Sequence, residues 1–339
     1  MADQNFRVGV LGCGQVSQDH FVAWQRSKGA RVVACCDPDR SRAEKRATDF
    51  NVEKVYTDPQ EMMDREKLDL VDIITPRETH ADMVRLAARH RVNALCEKPF
   101  CPTYDEGVVV LREIADNIRV MVNENWRYRP YYTRIGNWIK KGTLGQIMHY
   151  RISLKRSNLI PNADGILPAL IRQPFMAKED RLVIAECLIH ELDITRSLIG
   201  EMSVLASRIA RATTVIKAED TATIMLETKG GVTAVVEGVL SSAGYPIRAG
   251  NRLEISGTRC SVILDDAHLR LFGAENEEEK YDEAEMRQKC FDLSIQHFID
   301  QTRSGQPYWT SAEDQLNTLK LVEEAYRLAG PLRSHTGVQ

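Results

Sequence analysis

The chain has 339 residues, 43% of them hydrophobic and 27% charged, and its 45 basic and 48 acidic residues give a formal net charge of −3. This length and balance are typical of a globular protein with two domains, and they exclude collagen, coiled-coil and wholly disordered chains. Because there is no global basic field, we expect no nucleic-acid partner.

Two further features bear on the compartment. The first apolar run begins at Phe6, and no apolar run approaches the roughly 20 residues of a membrane span, so we expect neither a secretory leader nor a membrane partner. The eight cysteines form no Cys-x-x-Cys pair, and several lie inside apolar runs, which is typical of free thiols in a reducing compartment. We therefore expect a cytoplasmic protein.

The first part of the chain alternates strands and helices. Apolar runs predict strands at 6–11, 31–36, 70–75, 94–96 and 118–122, and helical spacing predicts helices at 15–28, 39–50, 79–91 and 103–116. Asp58-Pro59 predicts the start of another helix, with Asp58 as N-cap. Runs too apolar to have a wet face indicate a parallel sheet covered on both sides, which is the doubly wound Rossmann architecture.

After about residue 124 the pattern changes to strands joined by short turns. Predicted strands lie at 146–157, 204–211, 221–228, 232–239, 252–256, 261–264 and 269–272, and two helices follow at 285–303 and 311–328. The acidic segment 275–282 is interpreted as a solvated loop. We therefore predict a dinucleotide-binding domain at 1–124 and, at 125–339, an α+β domain with a large, mostly antiparallel open sheet.

A glycine-rich turn joins the first strand to the first helix. Gly12 and Gly14 match the first two glycines of G-x-G-x-x-G. Gln15 and Val16 follow Gly14, and Ser17 replaces the third glycine. The first glycine permits a tight turn, the second lets the backbone approach a pyrophosphate, and the third position must be small. The helix N-terminus supplies free N–H groups and a positive dipole end. This context predicts a dinucleotide site.

Asp37 ends the second predicted strand, 25 residues after Gly12. A carboxylate at this position accepts hydrogen bonds from both ribose hydroxyls and repels a 2′-phosphate, so it favours NAD over NADP. Two alternatives remain open. Asp37 is also a turn former before Pro38, and Arg42 is placed to reach a 2′-phosphate or to stack on adenine.

A narrow polar stripe follows the apolar segment 181–200. On an α-helix, Glu186, His190, Asp193 and Ser197 fall within roughly 60° of one another, which indicates the wall of a polar pocket. Glu186 and His190 also form an i,i+4 pair that would support a helix. One histidine and two carboxylates suit a divalent metal in principle. Since no second histidine is placed by the sequence, we expect no metal. His20 has no partner that the sequence identifies, and a core or surface role is the default.

Three short motifs complete the pattern: Thr75-Pro76 with His80 four residues later, Glu97-Lys98-Pro99 after the fifth strand, and 123–130 with the sequence NENWRYRP. Together with the glycine turn they resemble the glucose-fructose oxidoreductase / inositol dehydrogenase / rhizopine-catabolism family, Gfo/Idh/MocA, and the resemblance covers nearly the whole chain. Members of this family usually oxidise a hydroxyl of a sugar or inositol, or reduce the ketone, with a nicotinamide cofactor, and their open sheet often packs against other subunits.

The resemblance implies roles for individual residues. Lys98 would contact substrate and polarise its oxygen, and His190 would be the general base. The family pattern Asp-x-Gly-x-His-x-x-Asp is matched here at His190 and Asp193, while Glu186 and Leu188 replace its aspartate and glycine. Glu186 would orient substrate or tune Lys98. The resemblance and the motifs together predict a cofactor-binding set of Gly12, Gly14, Gln15, Val16, Asp37, Arg42, Thr75, Pro76, His80, Glu97 and Asn125. They predict a substrate-binding set of Lys98, Trp126, Arg127, Arg172 and Asp193.

The sequence therefore predicts an NAD(P)-dependent dehydrogenase of a sugar, an inositol or a related polyol, working as a homo-oligomer. Two alternatives stay open. One is an enzyme that uses NAD without net redox change, in glycoside cleavage or epimerisation. The other is a non-catalytic dinucleotide sensor, which the presence of both Lys98 and His190 disfavours because a sensor needs no proton transfer.

Overall fold

The structure is a computed structural model that describes residues 5–115, 117–248 and 250–334. The described chain divides into two compact units. The first contains the residues up to Tyr128 together with Arg287–Leu319, and the second contains Arg129–Met286 together with the residues from Lys320 onward. The predicted division at 124/125 did not include the return of Arg287–Leu319 to the first unit.

The first unit is built on a six-stranded parallel sheet with the order β3-β2-β1-β4-β5-β6. Its strands are β1 (Phe6–Leu11), β2 (Ala30–Cys36), β3 (Lys54–Tyr56), β4 (Leu70–Ile73), β5 (Asn93–Cys96) and β6 (Val120–Val122). Its connecting helices are α1 (Ser17–Arg26), α2 (Arg40–Phe50), α3 (Pro59–Arg65), α4 (His80–Arg89) and α5 (Tyr104–Ile114). This is the doubly wound order, and the prediction is confirmed.

The apolar runs become strands because their side chains are buried on both faces of the sheet. Val8, Val10 and Leu95 have no exposed surface. The predicted start of α3 is confirmed, since the Asp58 side chain accepts hydrogen bonds from the N–H groups of Gln60 and Glu61.

Helix α9 (Glu283–Ser304) runs from the second unit into the first. Its residues Phe291, Ile295 and Phe298 join the core cluster that contains Val8 and Leu95. Local periodicity predicts the helix but not its partner, because only the apolar surface of the parallel sheet decides where α9 packs.

The second unit contains a nine-stranded sheet with the order β14-β13-β12-β11-β7-β10-β9-β8-β15. The strands are β7 (Ile147–Lys155), β8 (Met202–Arg211), β9 (Thr221–Thr228), β10 (Thr233–Val239), β11 (Asn251–Gly257), β12 (Cys260–Asp265), β13 (His268–Gly273), β14 (Glu277–Lys280) and β15 (Arg333–Ser334). The helices are α6 (Pro130–Lys140), α7 (Pro168–Arg172), α8 (Ile189–Ile199) and, shared with the first unit, α9 and α10 (Ala312–Ala329). All pairings are antiparallel except β7 with β10 and β8 with β15, as the prediction of a mostly antiparallel sheet requires.

The acidic segment predicted as a solvated loop is corrected here. Glu277–Lys280 forms edge strand β14, which pairs with β13 through registers such as Leu271 with Glu277. All four residues are exposed, so the charges are solvated as expected while the backbone still completes the sheet. Charged side chains are a common feature of edge strands because they oppose pairing with another chain. Within the described ranges, no helix is both long and apolar enough to cross a membrane.

Candidate active site

The glycine turn follows β1 with the geometry that its sequence predicts. Gly12 has φ +98°, and a Cβ atom there would lie 2.5 Å from the carbonyl oxygen of Ile74. The N–H of Gly12 donates to the carbonyl of Cys36 at 2.8 Å. Gly12 is therefore required both by its backbone conformation and by the close passage of the loop after β4.

Gly14 differs from Gly12 in facing open space. A Cβ atom at Gly14 would meet no protein atom within 4 Å. Helix α1 begins beside it, and its N-cap residue Val16 makes no capping hydrogen bond through its side chain. An open glycine at a helix N-terminus without a side-chain cap fits the approach of a pyrophosphate group.

Ser17 does more at the third glycine position than remain small. Its side chain is buried, and its hydroxyl donates to the carbonyl oxygen of Gly14 at 2.6 Å. Arg46 of α2 donates to Ser17 Oγ at 2.9 Å and to the Gly14 carbonyl at 3.2 Å. Arg46 thus braces the turn from the neighbouring helix. Arg46 was not predicted from the sequence, because a helical arginine among other charges carries no local signal.

Asp37 lies at the end of β2 and is almost fully buried. Its Oδ2 accepts the N–H of Cys13 at 2.8 Å, and its Oδ1 accepts the N–H of Asp39 at 2.9 Å. The turn-forming alternative is thus present in the geometry. Since each carboxylate oxygen has a second lone pair, the group retains acceptor sites for ribose hydroxyls. Arg42 is exposed and pairs with Asp39 at 3.3 Å.

Two loops at the carboxyl edge of the sheet are joined by His80. The Nδ1 atom of His80 lies 2.8 Å from the carbonyl oxygen of Pro99, and Nε2 lies 2.9 Å from that of Thr75. Burial lowers the pKa of His80, whereas the hydrogen bonds to the two carbonyl oxygens act in the opposite direction. With both ring nitrogens at backbone carbonyls, His80 supports the loops that carry Thr75, Pro76 and Lys98.

Glu97 and Lys98 directly follow β5, and Glu97 reaches a buried histidine. His20 Nε2 lies 3.0 Å from Glu97 Oε1, and His20 Nδ1 lies 2.9 Å from Asp72 Oδ2. Lys98 is half-buried, and its backbone N–H lies 3.2 Å from Glu97 Oε2. His20 thus has one of its two default roles, the core role, together with two carboxylate partners that the sequence did not identify. A usable signal was present, since Asp72 is a carboxylate inside an otherwise apolar strand and needs a buried partner.

The segment after β6 contains three predicted site residues, with Asn125 and Arg127 buried and Trp126 half-buried. Arg127 pairs with Asp314 at 2.6 Å and donates to the carbonyl of Trp309 at 2.9 Å. These contacts lie within the first unit and hold the segment against Trp309, which precedes α10, and against the first turn of α10. Arg127 therefore has a structural role in addition to the predicted contact with substrate.

The prediction of a single α-helix over 181–200 is wrong, because the structure divides the segment into two helices of different kinds. Val183–Leu188 is a π-helix, and α8 follows it. Because a π-helix turns less per residue than an α-helix, Glu186 is not in α-helical register with His190. Glu186 and His190 are half-buried, whereas Asp193 is fully buried and its Oδ1 lies 3.5 Å from an Arg196 nitrogen. Asp193 therefore lies in the core beside a cation, deeper than the other members of the stripe.

Glu219 fixes the start of the π-helical segment. Its Oε1 accepts the N–H groups of Leu182 at 3.1 Å and Ile184 at 3.2 Å, and the hydroxyl of Tyr326 at 2.6 Å. The Tyr326 oxygen in turn accepts the N–H of Ala185 at 3.2 Å. These acceptors replace the side-chain cap that the segment lacks.

Gly238 of β10 lets the π-helical segment pack closely on the sheet. A Cβ atom at this glycine would lie 3.0 Å from side-chain atoms of Val183 and Leu188. Neither Glu219 nor Gly238 was singled out from the sequence, since both act on residues distant in the chain.

The predicted residues are distributed over both units. The first unit contains the glycine turn, Asp37, Glu97 and Lys98, and the second contains Arg172, Glu186, His190 and Asp193. Arg172 ends the short helix α7 and is half-buried. No cluster of three or more His, Cys, Asp or Glu side chains suited to a metal ion occurs among the residues that the structure describes.

Comparison with known proteins finds relatives over nearly the whole chain. Residues 6–124 match the family model described as "Oxidoreductase family, NAD-binding Rossmann fold", and residues 132–263 match the GFO/IDH/MocA C-terminal domain. A D-apiose dehydrogenase of Paraburkholderia graminis is 30% identical over 95% of this chain and 87% of its own length. The scyllo-inositol 2-dehydrogenase (NAD(+)) of Bacillus subtilis is 27% identical over 93% and 92%.

A solved structure extends the comparison to three dimensions. The crystal structure of an oxidoreductase from Agrobacterium radiobacter in complex with NAD+, L-tartaric acid and magnesium has a TM-score of 0.89, 28% identity and 96% coverage of both chains. The first unit is an NAD-binding Rossmann domain, and the residues of its glycine turn fit that cofactor. The chain belongs to the Gfo/Idh/MocA family of oxidoreductases.

Proposed function

We propose that the protein is an NAD-dependent dehydrogenase that oxidises a secondary or anomeric hydroxyl of a sugar, an inositol or a related polyol acid, or reduces the corresponding ketone. The observation that carries this proposal is the set of residues at one edge of the parallel sheet. Gly12, Thr75, Lys98 and Asn123 each follow the carboxyl end of an adjacent strand, in the order β1-β4-β5-β6. Ligands of doubly wound sheets bind at this edge.

NAD supplies the hydride acceptor, and the protein supplies charge and proton transfer. The Lys98 ammonium stabilises negative charge that develops on the substrate oxygen. His190 takes the hydroxyl proton, a task that suits an imidazole near neutral pH. Glu186, half-buried in the π-helical segment, orients substrate, and Trp126, Arg127 and Arg172 supply further substrate contacts.

Asp37 makes NAD the preferred cofactor in this proposal. Its buried carboxylate is fixed by two backbone N–H groups, so it stays in place and repels a 2′-phosphate. Arg42 is exposed and paired with Asp39, and its proposed role is a contact with the adenine end of NAD.

The open face of the nine-stranded sheet supports the proposal of a homo-oligomer. Met225 and Phe272 are 41% and 42% exposed, whereas Leu226 and Leu271 on the other face are buried. A symmetric dimer or tetramer can use such an open sheet face as a self-complementary interface that covers these side chains. Light scattering is expected to find an oligomer that Met225→Lys with Phe272→Lys converts to smaller species; an unchanged mass would refute this interface.

The compartment remains a prediction with one supporting observation. None of the eight cysteines, all of which lie in the described ranges, forms a disulfide, and seven of them are buried. Free thiols are typical of a reducing compartment such as the cytoplasm.

A substrate panel tests the proposed activity. NADH formation is followed with NAD+ or NADP+ against D-apiose and other aldoses, myo- and scyllo-inositol, L-tartrate and glycosides. The expected result is NAD+ reduction by at least one member of the panel, with NADP+ a poorer acceptor. Turnover of a glycoside without net NADH would identify the redox-neutral alternative, and tight NAD binding without any turnover would identify a sensor.

A further inference from the structure

A chain of buried polar groups runs through the first unit beneath Lys98. His20 of α1 lies between two carboxylates, with Nδ1 2.9 Å from Asp72 Oδ2 on β4 and Nε2 3.0 Å from Glu97 Oε1 after β5. The side chains of His20 and Asp72 have no exposed surface, and that of Glu97 is 13% exposed. Both imidazole nitrogens thus face acceptors away from solvent.

Neutral donors hold the carboxylates on either side of His20. The indole N–H of Trp24 donates to the same Asp72 oxygen at 2.7 Å, and the amide of Asn123 donates to Glu97 Oε1 at 2.7 Å. Ser294 of α9 fixes that amide by donating to Asn123 Oδ1 at 2.7 Å. The orientation of the Glu97 carboxylate is therefore over-determined.

The two flanking carboxylates favour a charged imidazole. A neutral ring donates at one nitrogen only, so hydrogen bonds to both carboxylates need the imidazolium. The amide nitrogen of Asn123 also lies 3.2 Å from Nε2, but it donates to Glu97 Oε1 at the shorter distance of 2.7 Å. Burial opposes this charge, but the charge and hydrogen bond of Asp72, followed by those of Glu97, raise the pKa of His20 to about 10. Burial also opposes ionisation of Glu97, but His20, Asn123 and Lys98 lower its pKa to about 2. The titratable groups that face these carboxylates are His20, Lys98, His80 and Cys96.

Glu97 connects the buried histidine to Lys98. Its Oε2 lies 3.2 Å from the backbone N–H of Lys98, and its own N–H donates to the carbonyl of Ile73 at 2.9 Å. The charges along the chain alternate from Asp72 through His20 and Glu97 to Lys98. The charge of Lys98 helps to lower the pKa of Glu97, so the carboxylate and the ammonium attract each other.

We propose that His20 is a positioning residue for Lys98: it holds Glu97 ionised and oriented, and Glu97 fixes the backbone and the charge of the lysine. This inference rests on the proposed function, in which Lys98 polarises the substrate oxygen. The motif Glu97-Lys98-Pro99 therefore works only with a buried cation 77 residues earlier in the chain.

A double-mutant cycle tests this role. His20→Gln is expected to lower kcat by about 10-fold or more while the KM for NAD changes less than about 2-fold. In a Lys98→Met background the same change is expected to lower kcat by less than about 2-fold, because its effect passes through the lysine. His90→Gln is the matched control, since His90 also lies beside a carboxylate, Asp64 at 3.4 Å, but at the surface.

Each outcome of the cycle decides a different point. Equal losses from His20→Gln in both backgrounds would overturn the positioning role while leaving the proposed function intact. Full activity of Lys98→Met would overturn the role of the lysine and, with it, this inference.

A measurement on the unaltered protein covers the case in which His20→Gln does not fold. Imidazole nitrogen shifts from nuclear magnetic resonance are expected to show His20 as imidazolium from about pH 6 to about pH 9. A ring that is neutral at about pH 8 would overturn the inference.

Discussion

Glu219 gives the sharpest prediction for the second unit, because one buried carboxylate oxygen accepts three hydrogen bonds. Two come from the backbone of Leu182 and Ile184, which are fully buried, and one comes from Tyr326. Glu219→Ala removes all three and leaves buried donors unpaired. At about 1–3 kcal/mol for each unpaired donor, and with partial relaxation, the expected loss is about 3–5 kcal/mol of unfolding free energy.

Smaller changes at the same place are expected to cost less. Glu219→Gln keeps an oxygen acceptor but loses the charge, and about 1–2 kcal/mol is expected. Tyr326→Phe removes one donor to Glu219 and the acceptor for the N–H of Ala185, and about 1–2 kcal/mol is expected. Glu323→Gln is the control, since its ion pair with Arg181 is partly exposed and about 1 kcal/mol or less is expected.

Urea unfolding of the four variants measures these losses. A second readout is kcat, which is expected to fall in Glu219→Ala because the π-helical segment carries Glu186 and leads into α8, where His190 lies. An unfolding free energy of Glu219→Ala within about 1 kcal/mol of the unaltered protein would refute the reasoning. So would a loss no larger than that of Glu323→Gln.

Three further predictions concern the first unit. Gly14→Ala is expected to fold normally but to lose NAD affinity, whereas Gly12→Ala, with φ +98°, is expected to lose stability as well; calorimetric NAD titration and thermal unfolding separate the two. Asp37→Asn is expected to weaken NAD by about 10-fold and NADP less, so an unchanged ratio of the two dissociation constants would contradict the ribose role. The pKa of His20 is raised from 6.5 to about 10, so its contribution to stability is complete below pH 6.5 and is lost as the pH rises through 10. The pKa of Glu97 is lowered from 4.5 to about 2, so its contribution is complete above pH 4.5 and is lost as the pH falls toward 2. Urea unfolding is therefore expected to show that the advantage of the unaltered protein over His20→Gln is largest near pH 5 to 6 and smaller at about pH 9.

Much of the fold follows from local patterns, because five of the six strands of the parallel sheet are apolar runs bounded by turn or capping residues. Asp58-Pro59 predicted the start of α3 to the residue. Local patterns missed three short strands, Lys54–Tyr56, Glu277–Lys280 and Arg333–Ser334, and the last two are exposed edge strands. Their pairing is decided by the neighbouring strand rather than by their own side chains.

Site residues could be predicted where a local motif determines their geometry. They could not be predicted where a residue distant in sequence determines it. Gly12 and Asp37 lie where their spacing predicts. The π-helix was missed because Glu219 and Gly238, which cap and accommodate it, are distant in sequence. The partners of His20 were missed for the same reason, since Asp72 on β4 and Glu97 after β5 are both distant in sequence.

The most direct test of the central claim is single-turnover reduction of NAD+ with the substrate that the panel identifies. Lys98→Met and His190→Asn are each expected to slow this step by about 100-fold or more while the dissociation constant of NAD changes less than about 3-fold. Lys141→Met, which alters an exposed lysine at the end of α6, is the control and is expected to leave the rate unchanged. A normal rate in His190→Asn or in Lys98→Met, with NAD bound, would contradict the account.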